Sequence, residues 1–139
     1  MAVDPGSKRI GVAISDETGT LARGLTVINH ISLQEDCSKV SRLALENEVK
    51  LILIGNPLSD DGEERPQTRH ATKIAEELAE VSGLPVKLVD EYGSTQQART
   101  IRQTAGVNRA KRSGHLDQVA AAVILQKWLD SNQEGLNEE

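Results

Sequence analysis

Residues 51–55 read "LILIG", an apolar run that ends at Gly55 with Pro57 just beyond. Segments with helical spacing lie on both sides of it. A short, uninterrupted apolar run bounded in this way reads as a strand buried on both faces, because a half-exposed strand would alternate with polar residues. Such a strand needs helices on both sides, so the chain reads as an α/β fold. The residues available for a core agree. There is no Phe, one Tyr and one Trp, so Leu, Ile, Val and Ala must fill the interior. That suits a sheet covered by helices better than a sandwich packed on aromatic rings. A chain of 139 residues fits one domain. We place it over residues 1–131 and read 132–139 as a polar C-terminal tail.

Upstream of that run the periodicity is two. A short strand occupies 2–4 and gives way to Pro5-Gly6. "RIGVAISD" alternates, with Ile10, Val12 and Ile14 on one face. "DETG" is a turn, and "TLARGLTVI" is a third strand. Their short connections predict an antiparallel meander. The pattern then changes. "SLQEDCSKVSRLALENEV" has Ser32 as an N-cap candidate and Glu35 at capping-box spacing. "QTRHATKIAEELAEVSG" reads as a helix stopped by Gly83, with Pro85 beyond. "PVKLVDE" is a fifth strand, "STQQARTIRQT" looks helical, and "HLDQVAAAVILQKWLDS" is a last helix. The order predicts a mixed five-stranded sheet: a three-strand antiparallel meander plus two parallel strands, flanked by helices. In such sheets ligands gather at the carboxyl ends of the strands.

Three acids stand out by where they fall. Asp4 ends the first strand, Glu91 ends the fifth with Asp90 beside it, and Asp117 opens the last helix. Each alone reads as an ordinary turn or helix-start acid. Brought together, they would repel one another or recruit a metal. Hard carboxylate oxygens suit Mg²⁺ or Mn²⁺, and a pair of such ions supports phosphodiester hydrolysis. The formal net charge is −5, so any nucleic-acid contact must be local. One local reversal exists. Residues 92–116 hold no Asp or Glu but carry Arg99, Arg102, Arg109, Lys111 and Arg112. Lys8 and Arg9 can reach a phosphate near Asp4. Gly6, Gly55 and Pro57 read as structural turn residues, with Gly6 freeing the backbone beside a ligand and 56–62 forming a rim. His30, His70 and His115 share no metal-ligand spacing. The single Cys37 reads as a buried, inert thiol. The opening residues lack the pattern of a secretory leader, and no apolar run reaches the ~18 residues of a membrane span. The expectation is a soluble cytoplasmic protein with no membrane partner.

Four stretches together resemble the YqgF/RuvX family. "VDPGSKRIGVAISD" is similar to its D-x-G-x-x-R-x-G-x-A-x-S-D motif, and "IGNPLSDDGEERPQTRHA" to its G-L-P-L-x-x-D-G loop. "GLPVKLVDEYGSTQQA" resembles its L-P-V-x-x-x-D-E-R segment, and "HLDQVAAAVILQKWLD" its closing helix. The resemblance runs from Ala2 to about Asp130, with the motifs in order. It implies an RNase H-like fold and a metal-dependent nuclease acting on pre-16S rRNA or on Holliday junctions. It also implies Asp4, Glu91 and Asp117 as catalytic, metal-binding carboxylates, with Asp90 as a further participant. Two positions depart from the pattern: Tyr92 stands where the family has Arg, and Asn56 where it has Leu. Tyr92 can stack on a base or bond a phosphate. The departure at Tyr92 also raises the alternative of a non-catalytic RNA-binding ribosome-assembly factor. A junction has two-fold related cleavage points, so a homodimer is the expected form on that substrate.

Overall fold

The computed structural model describes residues 1–6, 8–56, 66–90 and 119–131. Five strands form one sheet: β1 (Ala2–Pro5), β2 (Arg9–Ser15), β3 (Ala22–Asn29), β4 (Ile52–Asn56) and β5 (Val86–Asp90). Their spatial order is β3-β2-β1-β4-β5, so β1 lies at the centre. β1 runs antiparallel to β2 and parallel to β4, and β4 runs parallel to β5. This is the meander plus two parallel strands that the periodicity implies. The helices are α1 (Leu33–Glu46), α2 (Pro66–Ser82) and α3 (119–131). The segment 91–118, which includes "STQQARTIRQT", lies outside the described residues.

The apolar run divides between the two faces of the sheet. Ile52 and Ile54 join Val3, Ile10, Val12 and Ile14 in a core with Val40 and Ala44 of α1 and Ile74 and Leu78 of α2. Leu53 points the other way, into a smaller core with Ala2, Ala13 and, on α3, Ala121, Ile124, Leu125 and Leu129. Burial on both faces removes from water the side chains that the sequence leaves without polar neighbours. Trp128 packs at the margin of this second core. Cys37 is buried against the first, and desolvation pushes its thiol up to about 11.

Local signals fix the helix ends. The Ser32 hydroxyl accepts from the Glu35 N–H at 3.2 Å, satisfying a donor that the first turn leaves open. α2 ends at Gly83, whose φ of +71° is the left-handed conformation a helix stop needs. α3 is tied to the sheet by Gln126. Its Oε1 accepts from the Ala22 N–H at 2.8 Å, and its Nε2 donates to the Thr20 carbonyl at 2.9 Å. The side-chain amide thus pairs with the start of β3 much as a neighbouring strand would. Between β2 and β3, Asp16 organises the turn. It accepts from the Thr20 N–H and the Thr18 hydroxyl, and these bonds hold its carboxyl below the usual range.

Candidate active site at the carboxyl ends of the strands

β1, β4 and β5 run the same way, so their carboxyl ends share one edge of the sheet. β3 is antiparallel to β2 and ends there too. Asp4 is the third residue of β1, paired with Gly11 of β2. The β1–β4 ladder pairs Ala2 with Leu53 and Val3 with Ile54. One step further, Asp4 stands level with Gly55, which pairs with Val89. Pro5 follows at once, and proline has no N–H to give to a ladder. β1 and β4 therefore separate just where the carboxylate sits, and Gly55 adds no side chain between Asp4 and β5. Strand alternation assigns the face. Ala2 lies in the α3 core and Val3 in the other, so Asp4 belongs to the α3 side. Val89 also lies on that side. Asp4 is half-buried at this edge.

The hairpin beyond Asp4 is tight. The Gly6 N–H donates to the Arg9 carbonyl at 2.9 Å. A Cβ on Gly6 would stand 2.4 Å from that same carbonyl oxygen. The sequence suggests freedom of turning beside a ligand as the reason for Gly6. The structure adds a second constraint, the close backbone contact with Arg9, and Gly6 is not among the glycines with positive φ. Lys8 on this hairpin is exposed and Arg9 is half-buried.

The remaining sequence candidates divide as follows. Gly55 is buried in β4. Asp90 closes β5 in register with Asn56. Pro57, Glu91, Tyr92, Arg99, Arg102, Arg109, Lys111, Arg112 and Asp117 lie outside the described residues, as does His115. Among the described residues no group of three or more His, Cys, Asp or Glu could hold a metal. No described helix is long and apolar enough to cross a membrane. A cavity of about 490 Å³ opens at the opposite end of the sheet, lined by Met1, Ile14, Leu53, Leu125 and Trp128. Its lining includes none of the candidate residues.

One grouping at the strand-end edge has no signature in the spacing. His30 follows β3, and its backbone N–H donates to the Lys8 carbonyl at 2.9 Å. Its ring Nδ1 bonds the Asp36 carboxylate at 2.5 Å. Asp36 is only 3% exposed and also accepts from the Ile31 N–H at 3.0 Å. The His70 ring, near the start of α2, meets His30 edge-on, with centroids 6.4 Å apart and planes at 88°.

The order β3-β2-β1-β4-β5 with helices on both faces, together with the superposition that follows, makes this an RNase H-like α/β fold. The solved structure of Thermus thermophilus RuvC superposes with a TM-score of 0.55 over 95% of this chain and 94% of that one, at 18% identity. RuvC from the same organism in complex with Holliday junction substrate gives a TM-score of 0.56, covering 94% and 93%, at 16% identity. At that identity the likeness is one of fold. The sequence is more specific. Residues 1–131 match the family model described as "RuvX: Holliday junction resolvase". A Myxococcus xanthus protein is 42% identical over 96% of this chain and 88% of its own length. A Thermoanaerobacter pseudethanolicus protein is 40% identical over 96% of each. Both are named "Putative pre-16S rRNA nuclease". The chain belongs to the RuvX family.

Proposed function

We propose that this protein is a divalent-metal-dependent nuclease that hydrolyses phosphodiester bonds in structured nucleic acid. The substrates that fit are the 5′ end of pre-16S rRNA, Holliday junctions, or both. The observation that carries the reading is the placement of Asp4. It sits at the carboxyl end of the central strand, on the α3 side, where β1 and β4 part. Glu91 directly follows β5, on the far side of β4, and Asp117 precedes α3 by two residues in sequence. Adjacent strands are ~4.8 Å apart, so a strand on each side of β4 is separated by about 10 Å, a gap two carboxylates can close.

The donor set fits the metal. Asp and Glu offer hard oxygens with no soft ligand among them, which selects Mg²⁺ or Mn²⁺. Asp4, Glu91 and Asp117 would hold it, with Asp90 as a further oxygen donor. Such ions, held there, would supply Lewis-acid activation of water and charge stabilisation at the leaving oxygen. The protein's own contribution is orientation and charge. Asp4 is fixed on a strand rather than a loop. Lys8 and Arg9 stand on the next hairpin to meet the phosphate backbone, and Arg99, Arg102, Arg109, Lys111 and Arg112 extend that contact along the nucleic acid. Recognition is then by shape and backbone, and binding weakens steeply with salt. A homodimer would place two such sites on a two-fold junction, and a cytoplasmic location suits an rRNA precursor.

Cleavage assays with Mg²⁺ or Mn²⁺ on a 5′-extended 16S precursor and on a four-way junction test this. Asp4→Asn should lower the rate by ~10²–10⁴-fold, because several kcal/mol of charge stabilisation are lost. Its melting temperature should hold. Equal rates for wild type and the Asp4→Asn variant would refute the catalytic role. The second reading, a non-catalytic RNA-binding assembly factor, draws on Tyr92 in place of the family's Arg. It requires RNA binding that survives Asp4→Asn and no metal-dependent cleavage.

A further inference from the structure

We infer that the cavity at the far end of the sheet docks a basic arm of a second nucleic-acid-binding protein, through an apolar residue held between Lys or Arg side chains. The inference stands apart from the Asp4 site and does not depend on its chemistry.

The cavity has an apolar floor. Ile14, Leu53 and Leu125 are buried beneath it, while Val49, Leu51 and Trp128 line it and are only half-buried. Its volume of about 490 Å³ falls in the range of formed binding pockets, ~300–1,000 Å³. A tryptophan beside aliphatic side chains is the kind of anchor on which protein interfaces concentrate their binding energy.

The rim selects the sign of the occupant. Asp16 and Glu17 stand on the β2–β3 turn and Glu48 on the connection from α1 to β4, and all three are exposed. Among the described residues that line the cavity, Lys50 is the only Lys or Arg. Met1 lines it too, but its amine donates to the Leu51 carbonyl, and burial lowers it from 8.0 to about 6. At pH 8 it therefore adds little charge. The Asp16 carboxylate is held in place by the Thr20 N–H at 2.8 Å and the Thr18 hydroxyl at 2.9 Å. Glu48 has a φ of +55°, the left-handed conformation that favours glycine. A charged side chain thus stands at the rim where glycine would fold with less strain.

The spacing of the acids selects the shape of the occupant. β1 lies between β2 and β4, so the two acidic loops flank the floor about 10 Å apart. An extended chain advances ~3.3 Å per residue, so cations three residues apart span that gap with an apolar residue between them. A small organic cation would meet only one loop, and a phosphate backbone would be repelled by both. Basic arms with interspersed apolar residues are common on proteins that bind nucleic acid. Ser15, at the cavity, lies four residues along β2 from Gly11, the partner of Asp4. That is roughly 14 Å, so both ends of the sheet can be occupied at once.

Trp128 is the only tryptophan in the chain, so its emission reports on the cavity. The test is titration of the full chain at pH 8 and low salt with the blocked peptide KRLLRK. Trp128 emission should shift and saturate, with a Kd below about 1 mM. KRGGRK, without the anchor, and EELLEE, with the charge reversed, should each bind at least about tenfold more weakly. Glu17→Lys should weaken KRLLRK binding by about 2- to 5-fold. Glu48→Gly should weaken it by about the same factor while melting at the wild-type temperature or above, which separates the rim charge from any loss of fold. No saturable shift with KRLLRK would overturn the inference. So would equal binding of KRGGRK or EELLEE, or an affinity unmoved by both variants. A stem RNA that saturates the Trp128 signal in EDTA would assign the cavity to nucleic acid and overturn it as well.

Discussion

The two faces of the sheet are built differently. Under α1 and α2 the buried strand residues are Val3, Ile10, Val12, Ile14, Ile28, Ile52 and Ile54, met by Val40, Ile74 and Leu78. Under α3 they are Ala2, Ala13 and Leu53, met by Ala121, Ile124, Leu125 and Leu129. Large branched side chains bury area and set stability. Alanines bury little, but they let a helix lie close to a strand. Among the described residues, the side with the smaller core is the side of Asp4. The first face buries the larger side chains of these residues, and the second brings a helix close to the strand that carries Asp4.

Truncation on the larger face should sharpen that contrast most. Leu78 has no exposed surface. Leu78→Ala should cost ~2–5 kcal/mol by urea denaturation, from lost transfer energy plus the cavity left behind. Protein that stays folded should keep its cleavage rate. Overfilling the smaller face should do the reverse. Ala121 is also fully buried, and Ala121→Leu should cost only ~1–3 kcal/mol while pushing α3 outward. Its cleavage rate should fall by more than that loss of stability accounts for. An Ala121→Leu variant that stayed stable and fully active would break the comparison.

The smallest effect concerns Cys37. Burial pushes its thiol up to about 11 from the ordinary 9.0. Above pH 9 the unfolded chain loses this proton while the folded one keeps it, so stability should decline from about pH 9 to pH 11. Below pH 9 this contribution should be flat. The thiol should also resist alkylation at about pH 8 until denaturant is added, since the thiolate is the reactive form. Cys37→Ser should remove the alkaline slope, read as urea midpoint against pH.

The contrast between the faces is half legible in the sequence. Ile10, Val12 and Ile14 share a face because strand alternation is a local property, and "LILIG" announces double burial on its own. Ser32 and Gly83 mark helix ends through backbone chemistry that needs no tertiary partner. Asp4 becomes conspicuous only beside "VDE" and "HLDQ", because its meaning depends on which strand lies at the centre. Other features depend on contacts between distant segments. Gln126 reads as one more polar residue on a helix until it meets Thr20 and Ala22. His30, Asp36 and His70 share no spacing, since the β3–α1 turn and the packing of α1 on α2 bring them together. Gly6 stands out in the sequence as a turn glycine, and the structure adds the close approach of the Arg9 carbonyl within the same hairpin.

The central claim is that carboxylates from the central strand, from the end of β5 and from the segment before α3 converge on one metal site. Calorimetric titration of the full chain with Mn²⁺ tests it directly. Wild type should bind the ion, and Asp4→Asn, Glu91→Gln and Asp117→Asn should each weaken that binding by at least about tenfold, the loss of one charged ligand. Three variants that bind Mn²⁺ as wild type does would contradict the claim.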